Sequence, residues 1–155
     1  MRRAGCGRLR MKTEASIAAL PAADAEIEEL VTAFEECRLP YPQWTHRAHL
    51  AVAVVYLTRY RFATALDRAR VHINLYNHTR GKADGYHETI TVLHMRRVAQ
   101  YLAEQIEPPS LVAALDAVTE LCAKGWTARY YSPQRLGSAE AKAGWVEPDL
   151  EPLDF

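Results

Sequence analysis

Two short stretches of the sequence carry side chains that could bind a metal ion or transfer a proton. One stretch, WTHRAHL, contains His46 and His49, and the other, GYHETIT, contains His87 and Glu88. Imidazole and carboxylate groups bind transition metals, and histidine also exchanges protons near neutral pH. Whether the four side chains act together depends on whether the fold brings them into one site.

The first stretch begins a predicted helix whose N-cap is Thr45. A helical period of about 3.6 residues places His46 and His49 on the same face as Leu50 and Leu57. This face is apolar and therefore points towards a core. Both histidines are expected to point inwards.

The second stretch begins another predicted helix. The same period puts His87, Thr91 and His94 on its core side, with Glu88 at the edge of that face. In a bundle whose helices alternate in direction, these two helices run parallel and begin at the same end. The sequence therefore predicts one shared site formed by His46, His49, His87 and Glu88. His94 is expected to lie behind these residues and to support them.

Three interpretations of the four residues remain open. The first is a metal centre, in which His46, His49, His87 and Glu88 bind one divalent ion, Zn, Fe or Mn, for catalysis. The second is metal-free acid–base catalysis or binding of a small polar ligand by the same four residues. The third is purely structural, because a histidine can cap a helix and a carboxylate suits a helix N-terminus.

Other polar side chains are candidates for contacting a small ligand, and they lie on three different segments. The hydroxyl groups of Tyr56, Tyr86 and Thr91 could orient such a ligand. In the segment ARYYSPQRL, Arg129 and Tyr130 could belong to a lid that binds an anionic group. The alternative for that segment is aromatic packing that anchors the C-terminal part of the chain.

The elements expected to position these residues are all helical, because strand-like alternation is absent. Prolines and glycines separate the apolar-periodic runs. Ser132 and the following proline predict one further brief helix, after which the chain is expected to be extended. We expect a single-domain all-α bundle over residues 21–155, with five main helices spanning residues 22–37, 46–60, 62–77, 86–106 and 111–123.

The second predicted helix is apolar on nearly every side, since Ala48, Ala51, Val52 and Val55 lie opposite the histidine face. A helix of this kind lies either at the centre of a domain or in a subunit interface. The sequence therefore predicts a central helix or a homodimer contact.

The charged residues are unevenly distributed along the chain. Five of the 19 basic residues lie in the first twelve positions, MRRAGCGRLRMK, which contain no acidic residue. The rest of the chain has 14 basic and 19 acidic residues. This excess of acidic residues argues against nucleic-acid binding. Residues 1–20 are interpreted as a flexible basic tail, with a nucleic-acid arm, a targeting peptide or initiation at Met11 as alternatives.

The cysteines and the apolar runs indicate the compartment. The three cysteines, Cys6, Cys37 and Cys122, form no CxxC pair, which argues against a disulfide framework. No apolar run approaches the roughly 18 residues of a membrane span. We therefore expect a cytoplasmic protein that does not contact a membrane.

Four motifs in order, WTHRAHLAVAVVYL, GYHETIT, RYYSPQRL and WVEPDL, resemble an uncharacterised family of small all-helical bacterial proteins. The similarity runs from about residue 41 to residue 150. It implies a compact helical fold and no particular activity, and it differs at His94, where the family pattern is more often aromatic or apolar. Together with the polar residues, it leads us to expect an enzyme acting on a small molecule, or alternatively a ligand-binding protein or a dimerisation module.

Overall fold

The computed structural model describes residues 21–155, so the predicted basic tail at 1–20 lies outside the described residues. The described part is all-α, with no strand, and it also contains three short 3-10 helices, Tyr41–Gln43, Ala83–Gly85 and Trp126–Arg129. Its seven α-helices are α1 (Asp24–Glu35), α2 (His46–Arg59), α3 (Phe62–Thr79), α4 (Glu88–Ala103), α5 (Leu111–Leu121), α6 (Pro133–Leu136) and α7 (Ala139–Ala143).

Helix α2 is the centre of the bundle. It begins at Thr45, whose hydroxyl accepts a hydrogen bond from the backbone N–H of Ala48. Every residue from Leu50 to Tyr56 is buried, because α1, α3, α4 and α5 all pack against this helix. Of the two alternatives predicted for a helix that is apolar on all sides, the central position is the one found.

The predicted helices are present, and their boundaries differ by a few residues. Helix α4 begins at Glu88 rather than two residues earlier, because His87 is its N-cap. The short helix α7 was not predicted, although Ser138 caps it as a serine commonly does. The all-α prediction is confirmed, and α6 and α7 bring the count above the five main helices.

The C-terminal part of the chain forms a second apolar cluster beside the main core. Tyr130, Tyr131, Ala141 and Val146 pack there against Leu93 of α4. The Tyr131 hydroxyl donates to the backbone carbonyl of Val146 at 2.7 Å. This cluster attaches residues 126–155 to α4. It agrees with the alternative in which the aromatics of ARYYSPQRL anchor the C-terminal part of the chain.

Within residues 21–155, none of the helices is both long enough and apolar enough to cross a membrane.

Candidate functional site

A cavity of about 320 Å³ lies between the starts of α2 and α4 and the middle of α3. We call it the inner cavity. His46, His49 and His94 contribute its polar wall together with Thr91. The rest of the wall is apolar, formed by Val52, Ala53, Ala69, Ile73, Ile90 and Met95. The starts of α2 and α4 thus lie at the same end of the bundle, as predicted.

Two of the cavity histidines have their N–H groups fixed by backbone carbonyls. His46 Nε2 donates to the carbonyl of Cys122 at 2.8 Å, and His49 Nδ1 donates to the carbonyl of Thr45 at 2.7 Å. A carbonyl can only accept, so these nitrogens carry the proton. The other nitrogens, His46 Nδ1 and His49 Nε2, are acceptors that have no hydrogen-bond partner within residues 21–155.

His94 is held from both sides. Its Nδ1 donates to the carbonyl of Ile90 at 2.8 Å, and its Nε2 accepts from the indole Nε1 of Trp126 at 3.2 Å. The His94 ring also meets the His46 ring edge-on, with 5.3 Å between centroids. His94 therefore closes one side of the cavity and has no free ring nitrogen.

Two histidines of the inner cavity, His49 and His94, are poor proton acceptors. Burial, helped by neighbouring His46 and His49, lowers the pKa of His94 to about 4, and the bond to Ile90 opposes this only in part. Desolvation likewise lowers the pKa of His49 to about 4. His49 is an exposed residue, and the Trp44 indole covers one side of its ring, with 3.8 Å between the centroids. Both rings are therefore neutral at pH 7.

A second cavity of about 490 Å³ adjoins the first, and we call it the outer cavity. Four wall residues belong to both cavities: His49, Ile73, Ile90 and Thr91. The outer wall is more polar and comes largely from the connection between α3 and α4, with Asn77, Lys82, Asp84, Tyr86 and His87. The two cavities are therefore neighbours that share part of their wall, and we call the pair the groove.

The structure does not give His87 the role predicted for it. Its Nδ1 accepts from the backbone N–H of Ile90 at 3.3 Å, so it caps α4. Its Nε2 donates to the carbonyl of Leu136 at 2.9 Å, which ties α4 to α6. Both nitrogens are thereby used, and the ring borders the outer cavity without offering it a free group.

Glu88 also lies apart from the cavity histidines. Its carboxylate accepts hydrogen bonds from Arg70 of α3, one of them Nε to Oε1 at 3.0 Å, and from the Tyr86 hydroxyl at 2.5 Å. Partial burial acts to raise the pKa of Glu88, but Arg70 and Tyr86 outweigh it and lower that pKa. Burial and the bond to Glu88 raise the pKa of Tyr86. These three residues form a closed network.

The predicted ligand set His46, His49, His87 and Glu88 is therefore not brought together. Within residues 21–155, no group of three or more His, Cys, Asp or Glu side chains is arranged to hold a metal ion. The two residues from α2 face the inner cavity, whereas the two from the start of α4 bond to other parts of the fold. The structure brings His46 and His49 together with His94 at the inner cavity, and it does not bring them together with His87 and Glu88.

The other predicted contact residues divide between the groove and the rest of the fold. Thr91 borders both cavities, and its hydroxyl donates to the carbonyl of His87 at 2.9 Å. Tyr56 is fully buried elsewhere, where its hydroxyl contacts Glu35 and His72 at 2.8 Å each. The Tyr56 hydroxyl is thus engaged outside the groove.

Tyr130 belongs to the second apolar cluster and exposed Arg129 adjoins it, and neither residue borders either cavity. Arg129 pairs with Glu151 at 2.8 Å and with Asp154 at 3.0 Å. The Tyr130 hydroxyl donates to Asp154 at 2.7 Å. Of the two alternatives stated for this segment, the geometry is that of an anchor for the C-terminal residues.

Sequence reasoning assigned His94 only a supporting role, and it did not single out Trp126, which bonds to His94 but borders neither cavity. The helical period placed His94 on the core side of α4, and the ring borders the inner cavity. Trp126 gave no signal, since its bond to His94 joins residues 32 apart in sequence.

No family model, no curated protein and no solved structure matches this chain. The family resemblance drawn from the four motifs stays a prediction, and function is inferred from the residues of the two cavities.

Proposed function

We propose that the inner cavity binds a small, uncharged and largely apolar molecule that carries one hydroxyl or N–H group. The observation that carries this proposal is that His46 and His49 donate their N–H groups to backbone carbonyls while both rings line the cavity. Each ring thereby keeps a lone pair for a donor on the ligand. The proposed molecule donates a hydrogen bond to His46 Nδ1 or His49 Nε2.

The charge of the wall favours a neutral ligand. The inner wall contains no lysine, arginine, aspartate or glutamate, and the lowered pKa values of His49 and His94 keep those rings uncharged at pH 7. A charged ligand would lose its hydration without gaining an opposite charge. A volume of about 320 Å³ suits a molecule the size of a substituted benzene ring.

Binding is better supported than proton transfer. A general base works best when its pKa is near the working pH, and the pKa values of His49 and His94 are about 4. We therefore regard an enzyme acting through His49 and His94 as the second candidate.

The free thiols of Cys37 and Cys122 agree with a reducing compartment, which supports the cytoplasmic location expected from the sequence.

The test compares phenol with toluene, which has nearly the same shape and lacks the hydroxyl. Calorimetric titration is expected to give phenol about fivefold tighter binding, because one neutral hydrogen bond contributes about 1 kcal/mol. Leucine at the position of His49 or His46 is expected to remove this preference in at least one of the two variants. His78→Leu is the matched control, since His78 is exposed on α3 outside both cavities.

Two results would overturn this proposal. One is the absence of binding by both probes, and the other is a phenol preference that survives in both His46→Leu and His49→Leu. Equilibrium dialysis against Zn, Fe and Mn provides the competing outcome. Stoichiometric metal uptake that is lost in His49→Leu would replace the neutral ligand with the metal centre predicted from the sequence.

A further inference from the structure

The outer cavity contains a buried polar side chain with unused hydrogen-bonding capacity. Asn77 is only 5% exposed, and its backbone carbonyl accepts from the N–H groups of Arg80 and Lys82 at the end of α3. Its side-chain amide lines the outer cavity and makes no hydrogen bond within residues 21–155. Buried amides are nearly always hydrogen-bonded, so this one has a donor and an acceptor available to an occupant of the cavity.

The neighbouring chain leaves space for the Asn77 amide, although it passes very close to it. Gly85 lies directly against it, and a Cβ at that position would come within 3.1 Å of Asn77 Nδ2. Any other residue would crowd the amide, which must then shift by a few tenths of an ångström. The absence of a side chain at Gly85 therefore leaves room for the Asn77 amide at the cavity wall.

The polar residues near Asn77 either are already hydrogen-bonded to the protein or carry charges that cancel. The Tyr86 hydroxyl donates to Glu88, and both ring nitrogens of His87 are bonded. Lys82 and Asp84 contribute one positive and one negative charge to the same wall. The wall thus has no excess charge that would select an anion or a cation.

We infer that Asn77 is a specificity residue that recognises a neutral amide group on the ligand of the inner cavity. An amide presents one donor and one acceptor, which complement the acceptor and donor of the Asn77 side chain. Because His49, Ile73, Ile90 and Thr91 border both cavities, one ligand can reach both. The ligand class is then an amphipathic molecule with an apolar, donor-bearing body and an amide head, and this rests on the proposed function.

A series of phenols with different heads tests the assignment. 4-Ethylphenol has no polar head, and 4-hydroxyphenylacetamide, 4-hydroxyphenylacetate and tyramine add a neutral amide, an anion and a cation. We expect the amide to bind about tenfold tighter than 4-ethylphenol, from one to two neutral hydrogen bonds. The two charged probes are expected to bind no tighter than 4-ethylphenol, and tighter binding of either would overturn the neutral-amide assignment.

Variants test whether the higher affinity for the amide-bearing phenol comes from Asn77. Asn77→Leu is expected to keep 4-ethylphenol binding and to lose the amide preference, whereas Asn74→Leu, on the exposed side of α3, keeps both. If Asn77→Leu does not fold, Gly85→Ala serves, because its Cβ displaces the amide and should reduce the preference.

The two proposals fail in different ways. Failure of all the phenols to bind contradicts the proposed function of the inner cavity. Binding of 4-ethylphenol without any gain from the amide head contradicts the Asn77 assignment alone, and so does an amide preference that persists in Asn77→Leu. In either of the last two cases the Asn77 amide binds only water.

Discussion

The starts of α2 and α4 lie at the same end of the bundle, yet their polar residues are used differently. At the start of α4, both nitrogens of His87 and both oxygens of Glu88 are hydrogen-bonded to the protein. At the start of α2, His46 and His49 each retain one unbonded nitrogen beside a cavity. A saturated network stabilises the fold, whereas spare acceptors next to a cavity are available to a ligand.

The largest expected effect comes from breaking the saturated network. Glu88→Ala leaves the Tyr86 hydroxyl without its partner and leaves half-exposed Arg70 with Asp67 alone, and we expect the free energy of unfolding to fall by about 2 to 3 kcal/mol. The matched control is Asp67→Ala, which removes an exposed partner of the same arginine and should cost less than about 0.5 kcal/mol. Urea unfolding of both variants measures this, and equal losses would contradict the distinction between the two regions.

Acid tests the neutral histidines of the cavity. Because the pKa of His94 is about 4 in the folded protein and that of an unfolded histidine is about 6.5, the unfolded chain binds more protons between these values. This contribution to stability is complete above pH 6.5 and is lost as the pH falls towards 4. His94→Phe should reduce the loss of stability between pH 7 and pH 5 by about 2 kcal/mol.

The measurement is urea unfolding of the wild type and the variant at both pH values. The comparison ends at pH 5 because carboxylates with lowered pKa values, such as Glu88, titrate at more acidic pH. An unchanged pH dependence in His94→Phe would mean that folding does not lower the pKa of His94, so that this ring gains its charge between pH 7 and pH 5 as it does in the unfolded chain.

The smallest effect separates the two bonds of His87. His87→Ala removes the cap of α4 and the link to Leu136, and we expect a loss of about 1 kcal/mol in the free energy of unfolding. His87→Asn should recover roughly half of this, because asparagine can cap the helix but is too short to reach α6. Thermal unfolding compares the two variants, and no recovery in His87→Asn would show that the link to α6 carries the effect.

Local patterns predicted the helices well. Thr45 and Ser132 cap helices as expected, and the run of apolar residues in α2 predicted its central position. What local patterns could not give were the partners of the polar residues. Arg70 reaches Glu88 from another helix, and Leu136 reaches His87 from residues 49 positions later in the chain.

The candidate site was predictable only in part, because local patterns give the face of a helix on which a residue lies but not its partner on another helix. The helical period placed His46, His49 and His94 on inward faces, and the parallel course of α2 and α4 joined them. The structural interpretation allowed a histidine to cap a helix, but histidine is not among the preferred N-cap residues, so the local pattern did not favour this role for His87 over one facing the cavity.

The bonds of His49 and His94 to carbonyls four residues earlier on their own helices have a consequence for how a ligand would be received. Each ring is oriented by the helix that carries it, so its rotational freedom is lost when the helix forms. A ligand then meets a preorganised surface and does not bear the entropic cost of ordering those rings. The inner cavity should act as a rigid receptor whose free and occupied shapes are nearly the same.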